Sequence, residues 1–318
     1  MPVSPIKYSF GAAIISALFF LICLPIAVQA QTGLFWSVVK PGSKDTSFLL
    51  GTVHKYPKTV VELPGIVGEK MDKCRNLYLE IQLDWKMGFK MLSGGSFINE
   101  MVVNEKWTKE DWEFIKEWFV DYHQMDATTF NYLKGKNKTS MSPLNDMFME
   151  LYGFDRGAVE EDLKMLAKQR KIDIRGLDKD WNEIQTWYAH YAQKSTDYWK
   201  KGSLDSLLDE GYYRLADLFI AYAIQDTATI NFYEKDDEWE NGLTLVAWRN
   251  HNWMPQLKKL MQNQTLVAVG AAHLYGTHGV VNLLKKAGFS VSPVEGYFGG
   301  EKLERFIRRN SRQYQLAD

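Results

Sequence analysis

Leu266-Val267-Ala268-Val269-Gly270-Ala271-Ala272-His273-Leu274-Tyr275-Gly276 is the stretch that decides the fold. An apolar, β-branched run gives way to small residues, and a histidine follows. A buried strand reads this way when it delivers a polar group at its carboxyl end. The pattern occurs again in Ser47-Phe48-Leu49-Leu50-Gly51-Thr52-Val53-His54. Two strand-end Gly-x-x-His elements at opposite ends of one chain make the rest of the sequence the scaffold that brings His54 and His273 together.

Working outward, the segment after His273 is the next most regular. A strand over Thr265–Val269, a loop, a helix over Gly279–Ala287 stopped by Gly288, and a strand over Phe289–Val294 form a β-loop-α-β unit. Such a unit implies a parallel neighbour and a crossover. At the other end, Leu34–Val39 and Ser47–Thr52 read as a hairpin around Pro41-Gly42-Ser43. A helix is expected over about Val61–Lys73 and a third strand over Asn76–Ile81, with Glu80 near its end. The middle is helical in period. Helices are expected over Trp107–Gln124, Asp146–Tyr152, Val159–Lys171, about Trp181–Phe232 with a break near Gly202-Ser203, and Trp239–Gln262 with a kink or break at Pro255. A short strand, Ile172–Leu177, interrupts them. The fold class is therefore α/β: a mixed sheet built from the N- and C-terminal segments, with a helical middle over about residues 100–262. Open sheets of this kind bind ligands beyond the carboxyl ends of their strands.

The chain of 318 residues is 46% hydrophobic and 24% charged, with a net charge of -1. That is an ordinary globular composition, and no global field recommends nucleic acid or anionic lipid as a partner. Residues 1–30 read as an export signal. Lys7 precedes the apolar run Phe10–Val28, and Val28-Gln29-Ala30 is a small-x-small cleavage site. The expected location is periplasmic or secreted, without stable membrane association after cleavage. The alternative is an uncleaved anchor, since roughly 20 apolar residues can span a bilayer. Cys23 leaves with the signal, so residues 31–318, read as one domain, hold Cys74 alone and no internal disulfide. Cys74 reads as a buried structural thiol.

His54, Glu80 and His273 form the candidate site. Neutral imidazoles and a carboxylate are the usual ligands of a catalytic divalent metal, and three protein ligands leave room for water and substrate. Alternatively, one histidine is a general base that Glu80 orients. The glycine before each histidine would allow a sharp turn and a close approach of ligand. One Gly-x-x-His is weak evidence, because a hydrogen-bonded turn histidine is the commoner case; two at strand ends carry more. His123, His190 and His251 lie in helical stretches and read as surface or packing residues. His278 is near enough to His273 to be considered beside it. No H-E-x-x-H, G-x-S-x-G, Walker loop or Cys cluster occurs.

These residues resemble the TraB/PrgY/GumN family, whose animal branch is the TIKI proteases. The matching motifs are Leu49-Leu50-Gly51-Thr52-Val53-His54, Leu77-Tyr78-Leu79-Glu80, Arg249-Asn250 followed by Trp253, and above all Val267 to Gly276 with Gly279-Val280, Leu283-Leu284 and Gly288. Two positions depart from the family's pattern. Gly176-Leu177-Asp178 stands where Gly-Leu-Glu is usual, and Glu160 stands where an Asp is frequent, so neither acid is carried over as catalytic. The resemblance implies an EreA/ChaN-like α/β fold and a metal-dependent hydrolase, peptidase-like, acting on a peptide or small-molecule substrate. It points to Mn or Co, with Zn and Fe compatible with the same donors. It implies His54, Glu80 and His273 as metal and catalytic residues, and gives Arg249 a role in binding a carboxylate or an oxyanion. A non-catalytic protein that sequesters a peptide or signal in the same cleft is the alternative, and haem-like ligation is a third reading.

Overall fold

The computed structural model describes residues 33–53, 56–82, 107–135, 143–152, 156–178, 186, 203–232 and 242–314. The expected signal at residues 1–30, His54 and His190 lie outside the described residues.

In chain order, β1 (Phe35–Val39) and β2 (Thr46–Thr52) form a hairpin. Its turn is closed by Ser43 N donating to Lys40 O, with Gly42 at φ 80, in the left-handed region that a side chain disfavours. β3 (Tyr56–Pro57) precedes α1 (Gly65–Met71) and β4 (Asn76–Ile81). α2 (Lys109–Lys116) starts at a reciprocal Thr108–Asp111 capping box and runs on into a π-helical turn, Glu117–Tyr122. α3 (Ala127–Gly135) has no counterpart in the sequence reading; α4 (Pro143–Leu151) matches the short helix expected there. β5 (Arg156–Gly157), α5 (Val159–Gln169) and β6 (Asp173–Asp178) follow. α6 (Leu204–Ile224) ends on the left-handed Gln225, and α7 (Thr227–Phe232) starts directly after. α8 (Leu245–Leu260), β7 (Thr265–Gly270), a 3-10 turn (Ala271–Leu274), α9 (Val280–Lys286), β8 (Ser290–Pro293) and α10 (Leu303–Asn310) are the last elements among the described residues.

Six strands make one mixed sheet in the order β6-β4-β7-β2-β1-β8. β6, β4, β7 and β2 run parallel, while β1 is antiparallel to both β2 and β8. β3 and β5 form a separate two-stranded ribbon. Side chains alternate between the faces with period two. Phe48, Leu50, Leu77, Leu79, Leu266 and Ala268 enter one core, shared with residues of α1, α5 and α6. Leu49, Tyr78, Val267 and Val269 enter the other, under α8 and α9. Strands buried on both faces need continuous apolar runs, and β2 and β7 have them. A third, aromatic cluster holds the helical middle together through Trp112, Phe119, Phe130, Phe148 and Tyr212.

Three expectations need correction. The helix expected over Val61–Lys73 spans only Gly65–Met71, because Val61 is bridged to Gly299 and Pro64 stands at the N-cap in an extended conformation. Of the kink or break expected at Pro255, the break does not occur, since α8 is continuous from Leu245 to Leu260. Pro255 is exposed, so the helical acceptor it deprives of a partner faces the solvent side, where water can serve. After β7, the chain does not place β8 alongside. β8 sits at the sheet edge against β1, and the parallel neighbours of β7 are β2 and β4.

The register sets the functional geometry. Thr52 is opposite Gly270, Leu79 is opposite both Ala268 and Gly176, and Ile81 is opposite Asp178. The carboxyl ends of four parallel strands therefore line up, and Thr52, Gly270, Glu80 and Asp178 share one edge.

Candidate functional site

Glu80 is the penultimate residue of β4, between Leu79 and Ile81, and it is buried. Its Oε1 accepts from the backbone N–H of Gly270 at 2.5 Å, and its Oε2 accepts from Arg249 Nη2 at 2.6 Å. The same Nη2 donates to Asp178 Oδ2 at 2.7 Å. Arg249 comes from α8, which lies on the sheet face that holds Val267 and Val269. One buried guanidinium thus joins the ends of β4 and β6.

His273 sits in the 3-10 turn after β7 and is 4% exposed. Its tautomer follows from its neighbours. Asn250 Nδ2 donates to the carbonyls of His273, at 3.1 Å, and His278, at 2.9 Å. That turns the Asn250 Oδ1, an acceptor, toward His273 Nδ1 at 2.7 Å, so Nδ1 carries the proton. Nε2 is then the bare nitrogen, and it faces the donor Nη1 of Arg249 at 3.2 Å. Nε2 also stands 3.7 Å from Glu80 Oε1. Trp253 packs on the His273 ring at 4.6 Å between centroids, lies under the Arg249 guanidinium at 4.7 Å, and donates its Nε1–H to Asp178 Oδ1 at 2.5 Å.

Burial works against the Arg249 charge, but Glu80 and Asp178 outweigh it and hold its pKa above the ordinary guanidinium value. Burial raises the pKa of Asp178. Arg249 and Trp253 oppose that rise without cancelling it, because the guanidinium is shared with Glu80.

Each motif glycine makes room for a close contact within the fold. Neither has a positive φ. A Cβ on Gly51 would meet Leu274 Cδ1 at 2.8 Å and Ala271 Cα at 3.1 Å, so the absence of a side chain lets β2 pack against the His273 turn. A Cβ on Gly270 would meet Glu80 Oε1 at 3.0 Å. What approaches these glycines closely is the protein itself.

Glu80, His273 and Arg249, singled out in the sequence, therefore meet at one place. His54 lies outside the described residues; the strand that leads to it ends at Thr52, beside Gly270. Sequence reasoning missed Asp178, set aside for being one methylene short, and gave Asn250 and Trp253 no role. A signal was present. Arg249 and Trp253 are four apart on a helix and share a face, and Asp178 ends a strand as Glu80 nearly does. Glu160 accepts from the buried Thr52 hydroxyl at 2.6 Å, which puts a further carboxylate at the end of β2. Elsewhere Cys74 is buried, as expected, and burial pushes its thiol up to about 12.

A divalent cation fits the chemistry of this donor set. His273 offers a bare nitrogen whose other ring nitrogen is braced by Asn250, and Glu80 is held by two donors; this is how metal-binding His and carboxylate ligands are usually supported. An ion at Nε2 competes with the Arg249 Nη1 contact, while Nη2 has its own partners in Glu80 and Asp178. Among the described residues no group of three or more His, Cys, Asp or Glu could hold a metal.

Among the described residues no helix is long and apolar enough to cross a membrane. No curated protein and no solved structure matches the chain, so the expected EreA/ChaN likeness rests on sequence resemblance alone. The sequence model of the TraB/PrgY/gumN family matches residues 34–293, from the start of the β1 hairpin to the end of β8. With a match over most of its length that takes in both Gly-x-x-His strands, the chain belongs to the TraB/PrgY/gumN family.

Proposed function

We propose that the protein is an exported, metal-dependent hydrolase, with peptides as the favoured substrate class. The observation that carries the reading is the fixed tautomer of His273, whose bare Nε2 stands 3.7 Å from a braced carboxylate. His273 and Glu80 would hold the ion, with His54 as the third ligand by the Gly-x-x-His pattern and Mn or Co by family resemblance. When bound, such an ion polarises a substrate carbonyl and lowers the pKa of a water to near neutrality.

The chain's own residues do the rest. Asn250 keeps the proton on Nδ1 and so keeps Nε2 available. Gly270 N–H and Arg249 hold the two Glu80 oxygens in place, and the Glu80 carboxylate can take a proton from the attacking water. Arg249 Nη1 presents a buried donor to the oxyanion that forms as the carbonyl is attacked. Asp178 and Trp253 fix the guanidinium from the opposite side.

The test is cleavage of a peptide library by protein stripped with chelator and then supplied with Mn or Co, beside Glu80→Gln. Metal-dependent cleavage in the wild type and its loss in the variant is the expected result. Tight peptide binding that is indifferent to chelator, without cleavage, would replace this reading with the sequestering protein.

A further inference from the structure

Outside the site, two imidazoles from different elements meet on the surface. His251 lies on α8, and His278 lies in the loop before α9. His251 Nε2 is 2.9 Å from His278 Nδ1, the ring centroids are 5.1 Å apart, and the rings are inclined by 57°. Both residues are exposed. The proposed chemistry uses neither side chain; His278 touches the site only through its backbone carbonyl.

We propose that His251 and His278 form a second, two-histidine site for a divalent transition-metal ion of the class that favours imidazole: Ni, Cu or Co. The donor type supports this class, since neutral imidazole nitrogens bind Ni and Cu most tightly among the divalent ions. The observed 2.9 Å is a hydrogen bond between the two ring nitrogens, which places both within reach of one ion. Chelation needs the shared proton to move to the far nitrogen of its ring and both exposed rings to turn their lone pairs outward. Burial, the charge of His278 and that of Lys286 hold His251 below its ordinary pKa, which favours the neutral ligand. Lys286 is also a nearby cation, so the affinity is that of a two-ligand surface chelate, with water in the remaining positions.

The pair is built into the fold. His251 follows Asn250, whose side chain donates to the His278 carbonyl, so the two backbones are already fixed relative to each other. The same Asn250 orients His273. An ion at the pair therefore clasps α8 to the loop that carries the candidate catalytic histidine.

The experiment is equilibrium dialysis of the chelator-stripped full chain against Ni, with metal analysis, beside His251→Ala, His278→Ala and His273→Ala. The expected result is one Ni equivalent retained in His273→Ala and weakened by roughly a hundredfold in each surface variant, as loss of a chelate requires. His251→Gln and His278→Gln keep polar volume at these positions and should show the same loss. Equal affinity in the wild type and the surface variants would overturn the pair, as would loss in only one of them, which means a single imidazole. Loss of Ni in His273→Ala alone would leave the main site standing and remove this one.

Discussion

At the scale of single residues, the arrangement turns on one guanidinium serving two carboxylates. Arg249 Nη2 reaches both Glu80 and Asp178, so Asp178 ionises against burial with only part of a countercharge. Its pKa in the fold therefore stands above the ordinary 3.8. The folded state then binds this proton more tightly than the unfolded chain does. The contribution of Asp178 to stability is largest below the unfolded pKa, and falls as pH rises from about 4 through the raised folded value. Asp178→Asn removes that slope. In urea unfolding at a series of pH values, the variant should gain stability relative to the wild type across this window and then hold a constant difference. A wild type that gains on the variant as pH rises would mean that the ion pair outweighs burial. These roles were only partly legible beforehand. Glu80 and His273 announce themselves by ending apolar runs. Asn250 does not, because its work is to orient a ring that lies distant in sequence, and nothing in its own neighbourhood marks it.

At the scale of elements, the site is a consequence of register. Parallel pairing of β2, β7, β4 and β6 aligns their carboxyl ends, and the two glycines let the His273 turn and the Glu80 carboxylate close on that edge. The two glycines should fail differently. Gly51→Ala places a methyl against Leu274 and the backbone of Ala271, and should destabilise the fold by about 1–3 kcal/mol in urea denaturation. Gly270→Ala pushes on Glu80 Oε1, the end of a side chain, so its expected effect is small on stability and up to roughly a hundredfold on hydrolysis. A stable, inactive Gly51→Ala beside an unstable, active Gly270→Ala would contradict this division. The strands were readable because β-branched runs bounded by glycine have few other uses. α10 was not, since its apolar residues Leu303, Phe306 and Ile307 stand among charged ones in a short segment. A helix across this length of α8 was expected, but its continuity at Pro255 was not readable, because tolerance of that proline depends on which side of the helix faces water.

At the scale of the whole molecule, the sequence indicates an α/β sheet assembled from both ends of the chain around a helical middle, and the fold has that form. Periodicity carries that much. It does not carry strand order: β8 follows β7 in sequence, yet two strands separate them in the sheet. Order is fixed by which apolar faces bury each other, and the edge position of β8 against β1 depends on contacts between the two ends of the chain. The central claim is that this assembly exists to hold a divalent ion at His273 and Glu80. It is tested most directly by the Mn content of the purified chain after reconstitution, beside His273→Ala and Asn250→Ala. Mn is the ion of choice because a surface pair of imidazoles retains it poorly. The account predicts close to one Mn per wild-type chain, none in His273→Ala, and affinity reduced by about 10- to 100-fold in Asn250→Ala, where the ring loses its orienting partner. Mn retained equally in all three proteins, or absent from the reconstituted wild type, would contradict it.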